Sequence, residues 1–485
     1  MTNEEECELG DMTPEEFREF GYRAIDWVAD YLKDTERWPV LARTGPGETK
    51  SQIPSVPPLE SESMGDILDD FERIILPGIT HWNHPAFFAY FSITGSAPGI
   101  LGELLCSALN VNSMLWKTSP AATELEEVSL DWLRQMLGLS EEFWGIIYDT
   151  ASTSTLHALA AAREVVPGLN AREDGLCGSN VPRLRLYASE EAHSSVEKAA
   201  IAVGIGRRGV KRISVDEQFR MNVEALESAV EKDQRKGWHP FCVVATVGTT
   251  STTSVDPVKE IAKICSKHGL WLHVDAAYAG AAALLPEKKW VLEGCDLADS
   301  VVTNPHKWLF TPIDLSAFYC RRPDVLRKAF SLTPEYLKTE SGDGATNYMD
   351  YGVALGRRFR ALKLWMVIRF FGQRGLQKRV RQHMSWAKEF AAWIDDSPRF
   401  ERMAPTPFST ICFRAVPPDM DDEHLDRFNE KLLQAVNETG EVFLSHTRLH
   451  ERFTLRLAIG NLKTRRDHLE RAKELLVKEI EELSG

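Results

Sequence analysis

Four short stretches of this chain carry side chains that can do chemistry, and each follows an apolar or β-branched run. In Ser300-Val301-Val302-Thr303-Asn304-Pro305-His306-Lys307-Trp308-Leu309-Phe310 the flanks predict burial, yet a lysine sits between them. A buried ammonium is costly without a partner or a chemical task. In a desolvated site its pKa falls, and the free amine attacks carbonyl carbon. In Leu272-His273-Val274-Asp275-Ala276-Ala277-Tyr278-Ala279-Gly280 a carboxylate ends an apolar run and stays ionised only opposite a cation. The small residues after it let something flat approach the backbone. A lone histidine follows another such run in Tyr187-Ala188-Ser189-Glu190-Glu191-Ala192-His193-Ser194-Ser195. Finally, Tyr148-Asp149-Thr150-Ala151-Ser152-Thr153-Ser154-Thr155 sets hydroxyls and backbone N–H groups at the start of an Ala-rich helix, a ready anion site.

Each stretch also has a plainer reading. The hydroxyls at 150–155 suit helix capping. His193 suits a surface or capping role. Lys307 and Asp275 could form a buried ion pair, although such pairs rarely give a net gain in stability. His273 and Asp275 are i and i+2 on one strand face, a feasible metal pair with His306 nearby. One ligand satisfies all four stretches at once. It has a phosphate for the helix start, an aldehyde for Lys307, a ring nitrogen for Asp275, and a flat ring between His193 and Ala277. Pyridoxal phosphate has these parts, and a Schiff-base lysine with an acidic partner is its recognisable binding pattern. On this reading the site takes no metal.

These residues need a scaffold. From about 85 to 325, strand candidates (Gly145 to Tyr148, Leu184 to Ala188, Phe241 to Thr246, Trp271 to Val274, Ser300 to Thr303) alternate with helices. The helices are expected over Ser152 to Val165, Ser194 to Val203, Val223 to Lys232 and Val258 to His268. Alternation of this kind predicts a mostly parallel sheet covered by helices, with ligands at the carboxyl ends of its strands. Thr13-Pro14-Glu15-Glu16 opens an N-terminal helix with a capping box. Its apolar face (Phe17, Phe20, Ala24, Val28, Tyr31) must pack on its own chain or on a neighbouring subunit. The last hundred residues read as a smaller α+β unit. Strands are expected at Ser409 to Val416, Glu441 to Ser445 and Phe453 to Ile459, with helices at Asp421 to Glu438 and Thr464 to Leu483. The expected divisions are 1–85 (helical arm), 86–375 (large ligand-binding domain) and 376–485 (small domain).

The chain has 485 residues, 43% hydrophobic and 26% charged, with a net charge of -14, which argues against a nucleic-acid or anionic-membrane surface. The scattered cysteines form no CxxC pair, and the acidic start Met1-Thr2-Asn3-Glu4-Glu5-Glu6 is unlike a signal peptide. Both features predict a cytoplasmic protein with reduced thiols.

With these motifs in hand, the chain resembles the aromatic-L-amino-acid decarboxylases, the pyridoxal-phosphate group II decarboxylases of the aspartate-aminotransferase fold. The likeness is carried by His81-Trp82, Phe87-Phe88-Ala89-Tyr90-Phe91, Ser119-Pro120-Ala121-Ala122-Thr123-Glu124-Leu125-Glu126, Ala192-His193-Ser194-Ser195 and Val247-Gly248-Thr249-Thr250. It continues in His273-Val274-Asp275-Ala276-Ala277-Tyr278, Asn304-Pro305-His306-Lys307-Trp308 and Leu355-Gly356-Arg357-Arg358-Phe359-Arg360. The resemblance implies fold type I, a mostly parallel seven-stranded sheet with helices on both faces, and a homodimer with shared sites. It implies that Lys307 holds the cofactor, Asp275 keeps its ring nitrogen protonated, and His193 stacks over the ring with Ala277 beneath. Ala151, Ser152, Asn304 and His306 would serve the phosphate, and Thr246 would lie beside ring and substrate. Tyr336 matches the family's mobile-loop tyrosine that protonates the carbanion, and Ser341-Gly342-Asp343-Gly344 would give that loop hinges. The substrate side chain would meet Trp82, Tyr90, Phe91, Asn112, Met114 and Gly356.

The sequence departs from the family at Tyr148-Asp149-Thr150, where Asp149 brings a carboxylate towards the phosphate helix. It departs also at Ser92-Ile93, where proline is common, and at Asn112, polar for an aromatic pocket. The implied reaction is decarboxylation of an aromatic L-amino acid. Rival outcomes on the same scaffold are decarboxylation of glutamate or histidine, aromatic acetaldehyde synthesis, and a binding scaffold without chemistry. Retention of Tyr336 and His193 argues against the aldehyde outcome. Retention of Lys307 and Asp275 argues against the inert one.

Overall fold

The computed structural model describes residues 11–178, 181–332, 345–418 and 420–484. Among them, the larger sheet contains β1 (Trp144–Tyr148), β2 (Arg183–Ser189), β3 (Val210–Ile213), β4 (Trp238–Thr246), β5 (Trp271–Asp275), β6 (Ser300–Thr303) and β7 (Ser316–Cys320). Their order across the sheet is β1-β7-β6-β5-β4-β2-β3. Neighbours from β6 to β3 pair in parallel, while β7 runs antiparallel to both β6 and β1. Every residue of β5, β6 and β7 is buried. Helices and apolar clusters cover both faces of the sheet, so its central strands read as continuous apolar runs rather than alternations.

The five expected strands and four expected helices of this region form within a few residues of their predicted bounds. β3 and β7 were not foreseen. β3 is an edge strand, Val-Lys-Arg-Ile, with two charged residues at its centre. β7 is Ser-Ala-Phe-Tyr-Cys, with no β-branched residue to signal it.

The C-terminal sheet has order β10-β11-β9-β8, antiparallel throughout, from β8 (Phe400–Arg402), β9 (Thr410–Ala415), β10 (Ser445–Leu449) and β11 (Arg452–Ala458). β10 starts where the expected strand at 441–445 ends. Residues just before it find backbone partners elsewhere: Phe443 N–H donates to Ala86 O (3.2 Å), and Phe88 N–H donates to Phe443 O (2.9 Å). Ala86 to Ala89 and Val40 consequently pack into the C-terminal core, beside helices Asp422–Glu438 and Arg466–Ser484. The long helix Ala361–Asp396 links the two units and breaks at Gly372, whose φ is 62°.

The helix Pro14–Lys33 begins with the anticipated capping box between Thr13 and Glu16, yet buries none of its residues. No helix among the described residues is long and apolar enough to cross a membrane.

Candidate functional site

The carboxyl ends of β1, β2, β4, β5 and β6 meet at one edge of the large sheet, and the expected chemistry sits on the turns that leave them. Asp275 is the last residue of β5 and faces Thr246, the last of β4, across the parallel ladder. The ladders then open out: Val247 N–H donates to Asp275 O (2.8 Å), Ala276 N–H to Val302 O (3.0 Å), and Asn304 N–H to Ala277 O (3.0 Å). Lys307 lies on the short helical turn Pro305–Trp308 directly after β6. His193 lies between β2 and the helix Ser195–Ala202. Thr150 ends the turn after β1 and caps the helix Ala151–Glu164, its hydroxyl accepting Thr153 N–H.

These turns enclose a cavity of about 200 Å³. Of the expected residues, Phe91, Ala151, Ser152, His193, Thr246, Asp275, Ala277, Asn304, His306 and Lys307 all line it. Asp275 Oδ1 accepts Ala277 N–H (3.1 Å), which turns the carboxylate towards the small-residue wall. Burial lowers the Lys307 ammonium from its ordinary range; Asp275 opposes that shift, and Arg456 adds to it. Burial, and then Lys307, push the His306 imidazole down to about 3. His306 Nδ1 therefore accepts, here from Leu315 N–H at 2.9 Å. Asn304 Oδ1 accepts from the Ser316 hydroxyl (2.7 Å), which fixes the amide beside His306.

Pyridoxal phosphate fits the groups present. The N–H groups of Ala151 and Ser152, at the positive end of a 14-residue helix, take no acceptor from the described residues. Thr246 Oγ1 is buried at the cavity with no partner. Ala277 offers only a methyl group to a flat ring. His273, the alternative metal partner of Asp275, instead bonds Ser300 Oγ (2.9 Å) and does not line the cavity.

Five expected residues lie elsewhere in the single chain. Trp82 stacks on Phe87 (4.4 Å) and Tyr90 (5.8 Å), against the C-terminal core. Asn112, Met114 and Gly356 gather in a second cluster. There Asn112 Oδ1 accepts Arg357 N–H (3.0 Å) and Asn112 Nδ2 reaches Met114 Sδ (3.4 Å). A Cβ on Gly356 would come 3.9 Å from Asn112 Nδ2. Tyr336 lies outside the described residues.

The cavity also has walls that local reading did not assign: Ser195, Gly248, Thr250 and Tyr278. Gly248 takes a φ of 90°, which favours glycine. Arg456 had no local signal, because it comes from β11 of the other sheet. Its guanidinium is buried 4.5 Å from the Phe91 ring, donates from Nε to Ser251 O (3.0 Å) and from Nη1 to Tyr90 O, and leaves Nη2 without a partner.

Residues 46–416 match the family model described as pyridoxal-dependent decarboxylase conserved domain. The chain is 42% identical over 475 residues to aromatic-L-amino-acid decarboxylase of Sus scrofa, with 96% of each covered. It is 39% identical over 484 residues to phenylacetaldehyde synthase of Arabidopsis thaliana, with 97% of each covered. Among solved structures it is similar to that of Oryza sativa TDC with PLP and tryptamine, at a TM-score of 0.95 and 35% identity, covering 98% of this chain and 100% of the other.

Proposed function

The chain belongs to the pyridoxal-dependent decarboxylases, and from that membership we propose that it removes the carboxylate of an aromatic L-amino acid as carbon dioxide, leaving the arylalkylamine. It is a pyridoxal-phosphate-dependent carboxy-lyase; the substrate class is tryptophan, DOPA, tyrosine or phenylalanine. The observation that carries the reading is the single small cavity in which Lys307 and Asp275 meet the free N–H groups of Ala151 and Ser152. The aromatic wall of Phe91 and Tyr278, and relatives named for aromatic substrates, favour an aromatic side chain over glutamate.

When bound, the cofactor supplies an electron sink for the bond to the departing carboxylate. In this reading Lys307, the buried amine of the cavity, would hold it covalently. Asp275 holds a proton on the ring nitrogen. Ala151, Ser152, Asn304 and His306 hold the phosphate, and Thr246 lies beside the ring. His193 and Ala277, both on the cavity wall, would lie against the ring, orient the reacting bond and exclude water. Tyr336 returns a proton to the α-carbon. Orientation and electrostatics are thus what the protein contributes.

The same reading makes the protein a homodimer in which Asn112, Met114 and Gly356 of one chain complete the partner's cavity. The unburied helix Pro14–Lys33, with Phe17 62% and Tyr22 66% exposed, supports it.

The test is borohydride reduction of the loaded enzyme followed by peptide mass mapping, together with carbon dioxide release across the amino acids. Cofactor mass on the Lys307 peptide and release from aromatic substrates are expected. Cofactor fixed elsewhere, or release confined to glutamate or histidine, overturns the reading. Ammonia and hydrogen peroxide are measured alongside, because an aldehyde synthase is among the relatives; their formation in place of the amine overturns the product assignment.

A further inference from the structure

We infer that Ser195 is a positioning residue that holds His193 as a neutral imidazole with its proton on Nε2. The inference rests on the proposed reaction only for what that proton meets.

Ser195 approaches one ring nitrogen twice. Its backbone N–H lies 3.2 Å from His193 Nδ1, and its hydroxyl oxygen lies 2.9 Å from the same atom. A backbone N–H can only donate, so Nδ1 must present a lone pair. The hydroxyl then donates to that lone pair as well. A neutral imidazole with its lone pair at Nδ1 carries its proton at Nε2. Protonating Nδ1 would set its N–H against the backbone N–H of Ser195 and remove the acceptor that this donor uses.

The surroundings act in the same sense. Ser195 is the first residue of the helix Ser195–Ala202, with Ser194 as its cap, so the imidazole sits at the positive end of that helix. Burial is the largest influence and disfavours the imidazolium; Lys307 and Lys198 add to it, and Asp275 alone opposes it. Ser195 is itself buried at 2% exposure, and its side chain lines the cavity. His193 Nε2 takes no partner from the described residues.

The chemical consequence is specific. His193 offers the cavity a hydrogen-bond donor suited to an oxygen of the substrate, a carboxylate or a hydroxyl. It is a poor source of the proton for the α-carbon, because losing the Nε2 proton would leave an imidazolate. A neutral imidazole held at a helix N-terminus polarises and orients rather than acting as an acid.

The test is nitrogen NMR of the holoenzyme labelled with 15N histidine, with His193→Asn used to assign the signals. Nε2 is expected to be protonated and Nδ1 not at neutral pH. In Ser195→Ala the hydroxyl donor is lost and the backbone donor remains. The Nε2–H tautomer should persist there, because a hydroxyl can accept from a protonated Nδ1 as well as donate to a bare one, and only the backbone N–H tells the two apart. A proton on Nδ1 in the parent or in Ser195→Ala, or an imidazolium at neutral pH, overturns the inference. Normal carbon dioxide release beside any of those results would leave the reaction standing. A neutral Nε2–H tautomer in an enzyme that releases no carbon dioxide would do the reverse.

Discussion

The ring of Phe91 stacks on the ring of Tyr278, with centroids 3.9 Å apart and planes 19° apart. Tyr278 in turn stacks on Trp308 at 4.9 Å and 9°. The outer face of this stack carries charge: Lys307 Nζ lies 5.3 Å from the Phe91 centroid, and the Arg456 guanidinium lies 4.5 Å from it. Phe91 thus steadies two neighbouring cations, of which Arg456 disfavours the Lys307 ammonium. Phe91→Ala should cost about 2 kcal/mol of stability, less than a fully buried ring because Phe91 is only half-buried. It should also weaken cofactor binding. Tyr278→Phe keeps the stack and loses only the bond to the Ser409 hydroxyl (2.6 Å), at a cost of about 1 kcal/mol. Denaturation midpoints of the two variants check the order; equal losses would mean that the stack contributes nothing beyond that bond.

Asp149 Oδ1 accepts the N–H of Thr150 at 2.6 Å, beside the helix start proposed for the phosphate. A carboxylate facing a dianion at a solvated cavity edge is worth about 1 kcal/mol of repulsion. Asp149→Asn keeps an oxygen for Thr150 N–H and removes the charge. It should tighten cofactor binding about fivefold in equilibrium dialysis at low salt, and the difference should shrink as salt screens it. Equal affinities at low salt would show that the charge points away from the phosphate.

Much of this site was legible because its residues sit on turns that directly follow apolar runs. Asp275, Lys307, His193 and Ser152 each lie within a few residues of a strand whose burial is written in its composition, so the parallel sheet had to gather them at one edge. What local reading could not supply came from distance in the chain. Arg456 reaches Phe91 from β11, and no pattern near it points there. The 441–444 stretch, Glu-Val-Phe-Leu, reads as a sheet strand from its apolar run, but the backbone partners of Phe443 are Ala86 and Phe88. Asn112, Met114 and Gly356 were assigned to the substrate, yet they lie together away from the cavity of their own chain.

That separation yields a prediction about assembly. The helix Ala97–Leu109 exposes Leu101, Leu104, Leu105 and Leu109 at 45 to 59%, and Phe370 is 70% exposed. Exposed apolar residues in such a row mark an interface. Replacing Leu105 and Phe370 together by aspartate should convert the proposed dimer into monomers in sedimentation analysis. Turnover should fall at least tenfold, while the cofactor-binding half of the cavity still loads. A monomeric double variant with full turnover would show that the Asn112 cluster does not serve a partner's site.

Buried histidines set the acid limit of the fold. Burial pushes His84, His157, His273 and His383 down to about 4, from an ordinary value of 6.5, and His306 to about 3. With folded values depressed, the unfolded chain binds more protons below pH 6.5, so stability is present above that pH and is lost as pH falls towards 4. Each group accounts for roughly 2 kcal/mol over that window. His383 is 3% exposed, and its Nδ1 accepts Trp308 Nε1–H at 3.0 Å, on the far side of the stack that backs Lys307. His383→Gln should lower stability at neutral pH through lost packing, yet flatten the acid slope by about 1 to 2 kcal/mol. Melting temperatures measured between about pH 7 and pH 4, the span of the depressed values, check both effects. A variant as acid-sensitive as the parent would mean that His383 is already protonated in the folded protein.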